Sequence, residues 1–281
     1  MKPPTIRNAR RGELDTIIDW AAREGWNPGI EDAPAFWAAD PAGYYVAEVD
    51  GRLAATISLV RYGEDYAFLG FYMAHPDFRG QGIGWALWQA AMRQAEGRTI
   101  GLDGVVAQQE NYRKSGFAYA HANFRYSGHI TCDEPAGEGI VPVSAKLLPA
   151  LLDYDRPFNP APRDPFLREW LKPLKTRQSF ALIDGTAVTG FGTIRACCEG
   201  FKIGPLFADD EAKADLLFRK LVASVGGGLV FLDIPGPNEA ARDLCERYGM
   251  KPVFETARMY RGTTPDLPLD RIYGITTFEL G

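Results

Sequence analysis

The sequence predicts an α/β (α+β) chain in which one strand-and-helix pattern is written twice, the second time in degenerate form. Three observations predict it. The run Arg79-Gly80-Gln81-Gly82-Ile83-Gly84 lies between an apolar strand, residues 68–74, and a helical stretch, residues 85–92. β-rich runs meet an Asp-Gly turn at Asp50-Gly51 and again at Asp184-Gly185, a strong two-residue hairpin signal. Finally, 53 residues separate Asp50 from Asp103 and 49 separate Asp184 from Asp233, so the elements return at nearly constant spacing.

The elements follow in order. A strand is expected at Thr5–Asn8, then a helix over 12–24 with Leu14, Ile17, Ile18 and Ala21 on one face. Tyr44–Val49 and residues 53–62 form the first hairpin, and 68–74 the next strand. After the glycine run and its helix come a short strand at 100–103, a helical stretch at 107–112 and Ser115-Gly116-Phe117. In the second copy the hairpin covers 179–183 and Ala187–Ala196, followed by a strand at 201–207, a helix at 210–225, a strand at 229–233 and a helix at 238–248. Gly249-Met250 matches Gly116-Phe117, and Met259-Tyr260-Arg261-Gly262 echoes Arg125-Tyr126-Ser127-Gly128. Residues 131–142 have the Pro, Gly and acidic composition of a connector, which gives domains at 1–130 and 143–281. Within the tail, residues 272–278 read as β, either pairing across the junction or forming an edge strand.

Composition bounds the function. With 281 residues, 46% of them hydrophobic, the chain can bury two cores. A net charge of −5 and no basic stripe argue against nucleic acid or an anionic membrane as partner. Cys197 and Cys198 are adjacent, Cys132 and Cys245 are distant, and no C-x-x-C occurs, so neither a metal site nor a disulfide framework is expected. No apolar run approaches the roughly 18 residues of a membrane span, and the first residues lack a signal peptide's apolar stretch, so a cytoplasmic location is expected. A homodimer is compatible with these data.

The glycine run carries the chemistry. Glycines at 80, 82 and 84 let the backbone curl so that several N–H groups face one point, and the following helix start adds its positive dipole end. An anion such as a pyrophosphate fits there, although a tight turn without ligand satisfies the same residues. A Rossmann loop would need a third glycine in the G-x-G-x-x-G spacing, and a P-loop would need Gly-Lys-Ser/Thr; neither is present.

The R-x-x-G-x-G spacing between strand and helix, with Tyr112 four residues before Gly116-Phe117, resembles the acetyl-CoA loop and fourth helix of the GNAT superfamily of N-acetyltransferases. The resemblance spans residues 5–128. Glu24-Gly25-Trp26-Asn27-Pro28-Gly29, Asp32, Asp40-Pro41, Leu102-Asp103-Gly104-Val105 and Gln108-Gln109-Glu110-Asn111-Tyr112 are further similar to a bacterial subgroup with a YitH/HolE-type C-terminal acetyltransferase domain. It implies a tandem fold of mixed, mostly antiparallel sheets flanked by helices, and an enzyme moving an acetyl group from acetyl-CoA to a small-molecule primary amine. A non-catalytic acyl-CoA sensor, or an enzyme acting on a protein amine, stays open.

The resemblance also implies a site. Tyr72, Met73 and Ala74 would offer backbone groups to pantetheine, while Gly80, Gln81, Gly82, Ile83, Gly84 and Trp85 would cradle the pyrophosphate. Arg79 either adds charge there or is simply solvated. Tyr112 is the general-acid candidate, because a phenol near pKa 10 stays protonated at neutral pH; packing on the core is the alternative. Asn111 either orients the thioester or serves the helix surface. Asp103 is the candidate base, with a turn-forming role as the alternative and Glu64 and Asp65 as competitors. Trp26, Asn27 and Asp32 would line the acceptor cleft. His75 is either catalytic or part of a strand-ending turn, and His121 and His129 have no partners that suggest a metal.

The second copy has lost the loop. Phe207-Ala208-Asp209-Asp210-Glu211-Ala212-Lys213 replaces it, and carboxylates without glycine would repel a pyrophosphate. Cys245 stands where the first copy has Tyr112, although Asn238, Ala241 and Leu244 keep a helix pattern common in GNAT domains. One working cofactor site is expected, in the first copy.

Overall fold

The computed structural model describes residues 3–135 and 139–281. The first copy runs β1 (Thr5–Asn8), α1 (Arg11–Arg23), α2 (Ala33–Ala39), β2 (Tyr44–Val49), β3 (Arg52–Tyr62), β4 (Tyr66–Ala74), α3 (Ile83–Arg93), β5 (Thr99–Val105), α4 (Gln109–Lys114) and β6 (Ala118–Ile130). Then follow β7 (Ile140–Pro142), α5 (Leu148–Asp155), α6 (Asp164–Trp170), β8 (Arg177–Asp184), β9 (Ala187–Ala196), β10 (Phe201–Ala208), α7 (Glu211–Ser224), β11 (Gly228–Pro235), α8 (Glu239–Arg247), β12 (Lys251–Arg261) and β13 (Ile272–Gly274). Local chemistry explains the turns. Asp50 and Gly51 both take positive φ, +48° and +77°, as a tight hairpin matching the strand twist requires.

The strands join one mixed sheet, mostly antiparallel, in the order β1-β2-β3-β4-β5-β12-β6-β11-β10-β9-β8-β7, with β13 on β10. The copies exchange their last strands. β12 pairs with β5 of the first copy, and β6 pairs with β11 of the second. A cut after residue 130 would therefore divide hydrogen-bonded neighbours. The stretch read as a connector ends in β7, which pairs with β8.

Each exchange is locked by the same ion pair. Arg258 on β12 lies opposite Asp103 on β5, and Arg125 on β6 lies opposite Asp233 on β11. Both are bidentate, at 2.7 and 2.7 Å for the first and 2.7 and 2.8 Å for the second. Arg258 is thus the counterpart of Arg125, one residue away from the match suggested by Met259-Tyr260.

Three apolar clusters cover the sheet. One lies beneath α3 around Leu87, Trp88, Leu102 and Tyr112, and a second beneath α7 and α8 around Leu217, Leu221, Leu232 and Leu244. The third, on the opposite face, is common to both copies: Leu14, Phe36 and Phe71 of the first meet Phe166, Trp170 and Phe207 of the second.

β4 and β5 are parallel only as far as Leu69 opposite Leu102; beyond that they separate. A bulge on β4 turns the strand away. Phe71 takes φ +47°, the register against β3 shifts, and Thr56 Oγ1 donates to the Phe71 carbonyl at 2.8 Å. β10 and β11 are likewise parallel over Phe201 to Ile203 and then part. There, however, β13 enters the gap, pairing with Leu206 and Phe207 while the Ile275 N–H donates to the Asp233 carbonyl. The tail therefore neither crosses the junction as a strand nor lies at an edge: it plugs the second copy's gap.

Candidate active site

The two helices that follow these gaps begin differently. α7 is capped from within, since Asp210 Oδ1 accepts the Lys213 N–H at 2.9 Å. α3 begins at Gly82, φ +77°, with no side chain capping it, and Gly80 also sits at φ +74°. The first N–H groups of a helix have no acceptor inside it, so those of Ile83, Gly84 and Trp85 are available at the end of the open gap. Negative charge is stabilised at such a terminus. Trp85 is 54% exposed beside it, and Gly84 lets Tyr72 close against the helix, where a Cβ would meet the phenol oxygen at 3.1 Å.

A cavity of about 480 Å³ runs from this loop through the gap to the face shared by both copies. Tyr72, Met73, Ala74, Gly84 and Tyr112 line its first-copy side. Tyr112 is buried and packs on Trp88, ring centroids 5.8 Å apart, and burial pushes its phenol up to about 12. Gly104, across from it on β5, has no side chain because a Cβ there would collide with the Tyr112 ring. Its ring belongs to the core, and the residue also lines the cavity.

Several sequence expectations are corrected. Asp103 is not a free base, because its side chain is fully buried in the Arg258 pair and also accepts Asn123 Nδ2 at 2.7 Å. Burial raises this carboxyl and Arg258 opposes the shift. Asn111 lies exposed on α4, away from the cavity lining, and donates to Gln108 Oε1 at 2.7 Å. Arg79 lines the cavity mouth, where it donates to Glu24 and to the Ala74 carbonyl and stays about half exposed. Asp32, 1% exposed, receives Arg177 at 2.7 Å and Arg195 at 3.2 Å and does not line the cavity. Asn27, at φ +51°, is also outside the lining and clamps the Glu199 backbone in both directions. Trp26 alone of that trio lines the cavity, its carbonyl held by Arg125 at 2.6 Å.

The remaining candidates fall away from the site. His75 Nδ1 accepts the Asp77 N–H at 3.3 Å, the strand-ending turn rather than catalysis. Glu64 and Asp65 are exposed in the hairpin turn. His121 is pushed down to about 4 by burial and lines a different cavity, and His129 is exposed.

Sequence reading missed the far wall. Phe254 and Thr256 from β12 and Phe278 and Glu279 from the tail complete the cavity, together with Arg125 from β6. No local motif marks them, since strand exchange and the tail's path bring them there. One signal was available: the tail's β-like, apolar text needed a place in the fold.

An open, uncapped helix terminus beside a parted parallel strand pair, with the Tyr112 phenol at the cavity wall, is an arrangement that fits an acyltransferase. The comparisons agree. Residues 13–119 match the family model described as Acetyltransferase (GNAT) family, and residues 151–274 match one described as Acetyltransferase (GNAT) domain. A holothin acyltransferase of Pseudoalteromonas sp. (strain SANK 73390) is 32% identical over 99% of this chain and 94% of its own length. Among solved structures, an acetyltransferase candidate from Pyrococcus horikoshii superposes with TM-score 0.82 at 20% identity, covering 100% of this chain and 97% of that one. A tandem GNAT protein from the clavulanic acid biosynthesis pathway reaches 0.64 at 14%, covering 93% and 100%. The chain belongs to the GNAT family, as an acyltransferase enzyme with two GNAT copies.

Proposed function

We propose that this enzyme transfers an acyl group, acetyl in the simplest case, from coenzyme A to a primary amine on a small molecule by direct attack. The observation that carries this is the contrast between the copies: one helix terminus open beside an open gap, the other capped by Asp210 beside a gap plugged by β13. The N–H groups of the loop and first turn, from Gln81 to Trp85, would hold the diphosphate, and the parted edge of Met73 and Ala74 the pantetheine amides. When bound, the thioester supplies an activated acyl carbon with a thiol leaving group. Tyr112 donates its phenol proton to the departing sulfur, a proton that a phenol of ordinary pKa near 10 already holds at neutral pH. The enclosing aromatic walls exclude water that would compete for the acyl group.

A small acceptor suits a cavity of about 480 Å³. The relative's name, holothin acyltransferase, supports an acceptor of that kind. The test is thiol release from acetyl-CoA and longer acyl-CoA esters across an amine library. Release that depends on an amine is expected. A protein that binds the esters yet releases no thiol with any amine would be a sensor instead.

A further inference from the structure

The acceptor side of the cavity holds a carboxylate that makes no direct hydrogen bond or ion pair among the described residues. Glu279 lines the cavity and is 5% exposed, yet among the described residues its carboxylate receives no hydrogen bond and enters no ion pair. The other buried carboxylates nearby are all committed: Asp103 to Arg258, Asp233 to Arg125, and Asp32 to Arg177 and Arg195. Thr256 also lines the cavity with its hydroxyl buried and unpartnered. A buried hydroxyl without a partner, close to a carboxylate that receives no hydrogen bond, is a costly arrangement for a protein with no ligand to receive.

The tail that carries Glu279 is fixed along its length. Arg163 donates to Thr276 Oγ1 at 2.9 Å, the Leu280 N–H donates to Thr277 Oγ1 at 3.0 Å, and Tyr62 donates to the Leu280 carbonyl at 3.0 Å. Gly70 on β4 leaves the space that the Glu279 backbone occupies, since a Cβ there would collide with the Glu279 carbonyl. So β4, which flanks the parted gap, and the tail are in backbone contact beside the point where an acyl group would enter. Phe71, Phe254, Phe278 and Trp26 surround the same space with apolar surface.

We propose that Glu279 is the general base that receives the acceptor, and that the acceptor is an uncharged or cationic amine borne on an apolar small molecule. The inference rests on the acyl-transfer reading above. A cationic amine first gives one proton to the Glu279 carboxylate, which passes it to solvent; the neutral nitrogen then forms the C–N bond as the C–S bond breaks. Its surplus proton passes to the Glu279 carboxylate, while the thiolate takes a proton from Tyr112. Return of the surplus proton to solvent and of one from solvent to the phenolate restores both groups. Anionic acceptors are disfavoured by the carboxylate.

A competing role is charge balance, because Arg125, Arg195 and Lys202 lie in the same buried network and feel the Glu279 charge. The two roles separate experimentally. Steady-state transfer from acetyl-CoA to a panel of aliphatic and aromatic amines is compared for the wild type, Glu279→Gln and Glu279→Asp, with coenzyme A affinity by calorimetry and thermal unfolding of each. Glu279→Gln is expected to lose about 10²-fold or more in kcat with coenzyme A affinity within twofold. Glu279→Asp keeps the buried charge and loses only reach; it is expected to fold and to show a smaller loss, which covers the case of an unfolded glutamine chain. Undiminished kcat in either folded variant overturns the assignment while leaving acyl transfer standing, as does a loss explained by lower folded fraction alone. A wild type that transfers to no amine overturns both readings.

Discussion

Tyr112 is structural in the fold and, in the proposed reaction, chemical as well. Its ring is packed between Trp88 and Phe117, and that burial is also what raises its pKa to about 12. Tyr112→Phe keeps the packing and removes the proton, so kcat in a thiol-release assay should fall about 10²-fold with coenzyme A affinity unchanged. The sign of the pH effect on stability follows. Below pH 10 the phenol is neutral in both folded and unfolded chains. As pH rises from 10 through 12 only the unfolded chain ionises, and the stability linked to this group is lost. Denaturant curves at pH 9 and pH 11 should therefore differ more for the wild type than for Tyr112→Phe. Asp103 teaches the opposite lesson: a carboxylate at a strand end looked like a base, and its arginine partner, 155 residues further on, was invisible in local sequence.

At the scale of elements, the strand–loop–helix unit around residues 68–92 was legible because its signals are local: an apolar run, glycines where φ must be positive, and an amphipathic helix. The hairpins were legible for the same reason. α5 and α6 were not, because each is short, carries a proline in its first turn and finds apolar partners in distant segments, Phe36 for α6 and Phe191 for Tyr154 of α5. The acceptor wall was hidden for a related reason, being assembled from β12 and the tail. β5 and α4 make a testable pair, since Gly104 yields its side-chain space to Tyr112. Gly104→Ala should cost about 1–3 kcal/mol by overpacking and lower kcat by displacing the phenol. Equal turnover and equal stability in that variant would mean the ring is not confined as described.

For the whole molecule, the repeat in the sequence became a shared sheet rather than two independent ones. The sequence carried the repeat but not the exchange, because swapped and unswapped last strands satisfy the same alternation of apolar residues. Asp32 belongs to the joint: it comes from the first copy, and both its arginines come from the second. Burial opposes its ionisation, yet Arg195, Arg177 and the Gly29 N–H hold its carboxyl below the usual range. It therefore contributes stability above about pH 4 that is lost as pH falls through its depressed value. Asp32→Asn should cost about 3–5 kcal/mol in denaturant unfolding, with the acceptor KM of the folded enzyme unchanged. A raised KM at full stability would return Asp32 to the acceptor site. The central claim is that the open terminus of α3 holds the diphosphate of coenzyme A, and calorimetric titration of the wild type against the Gly82→Val/Gly84→Val double variant tests it most directly. Saturable binding that weakens at least tenfold in the folded variant is predicted; equal affinity in both proteins, or no heat from the wild type at millimolar coenzyme A, would contradict it.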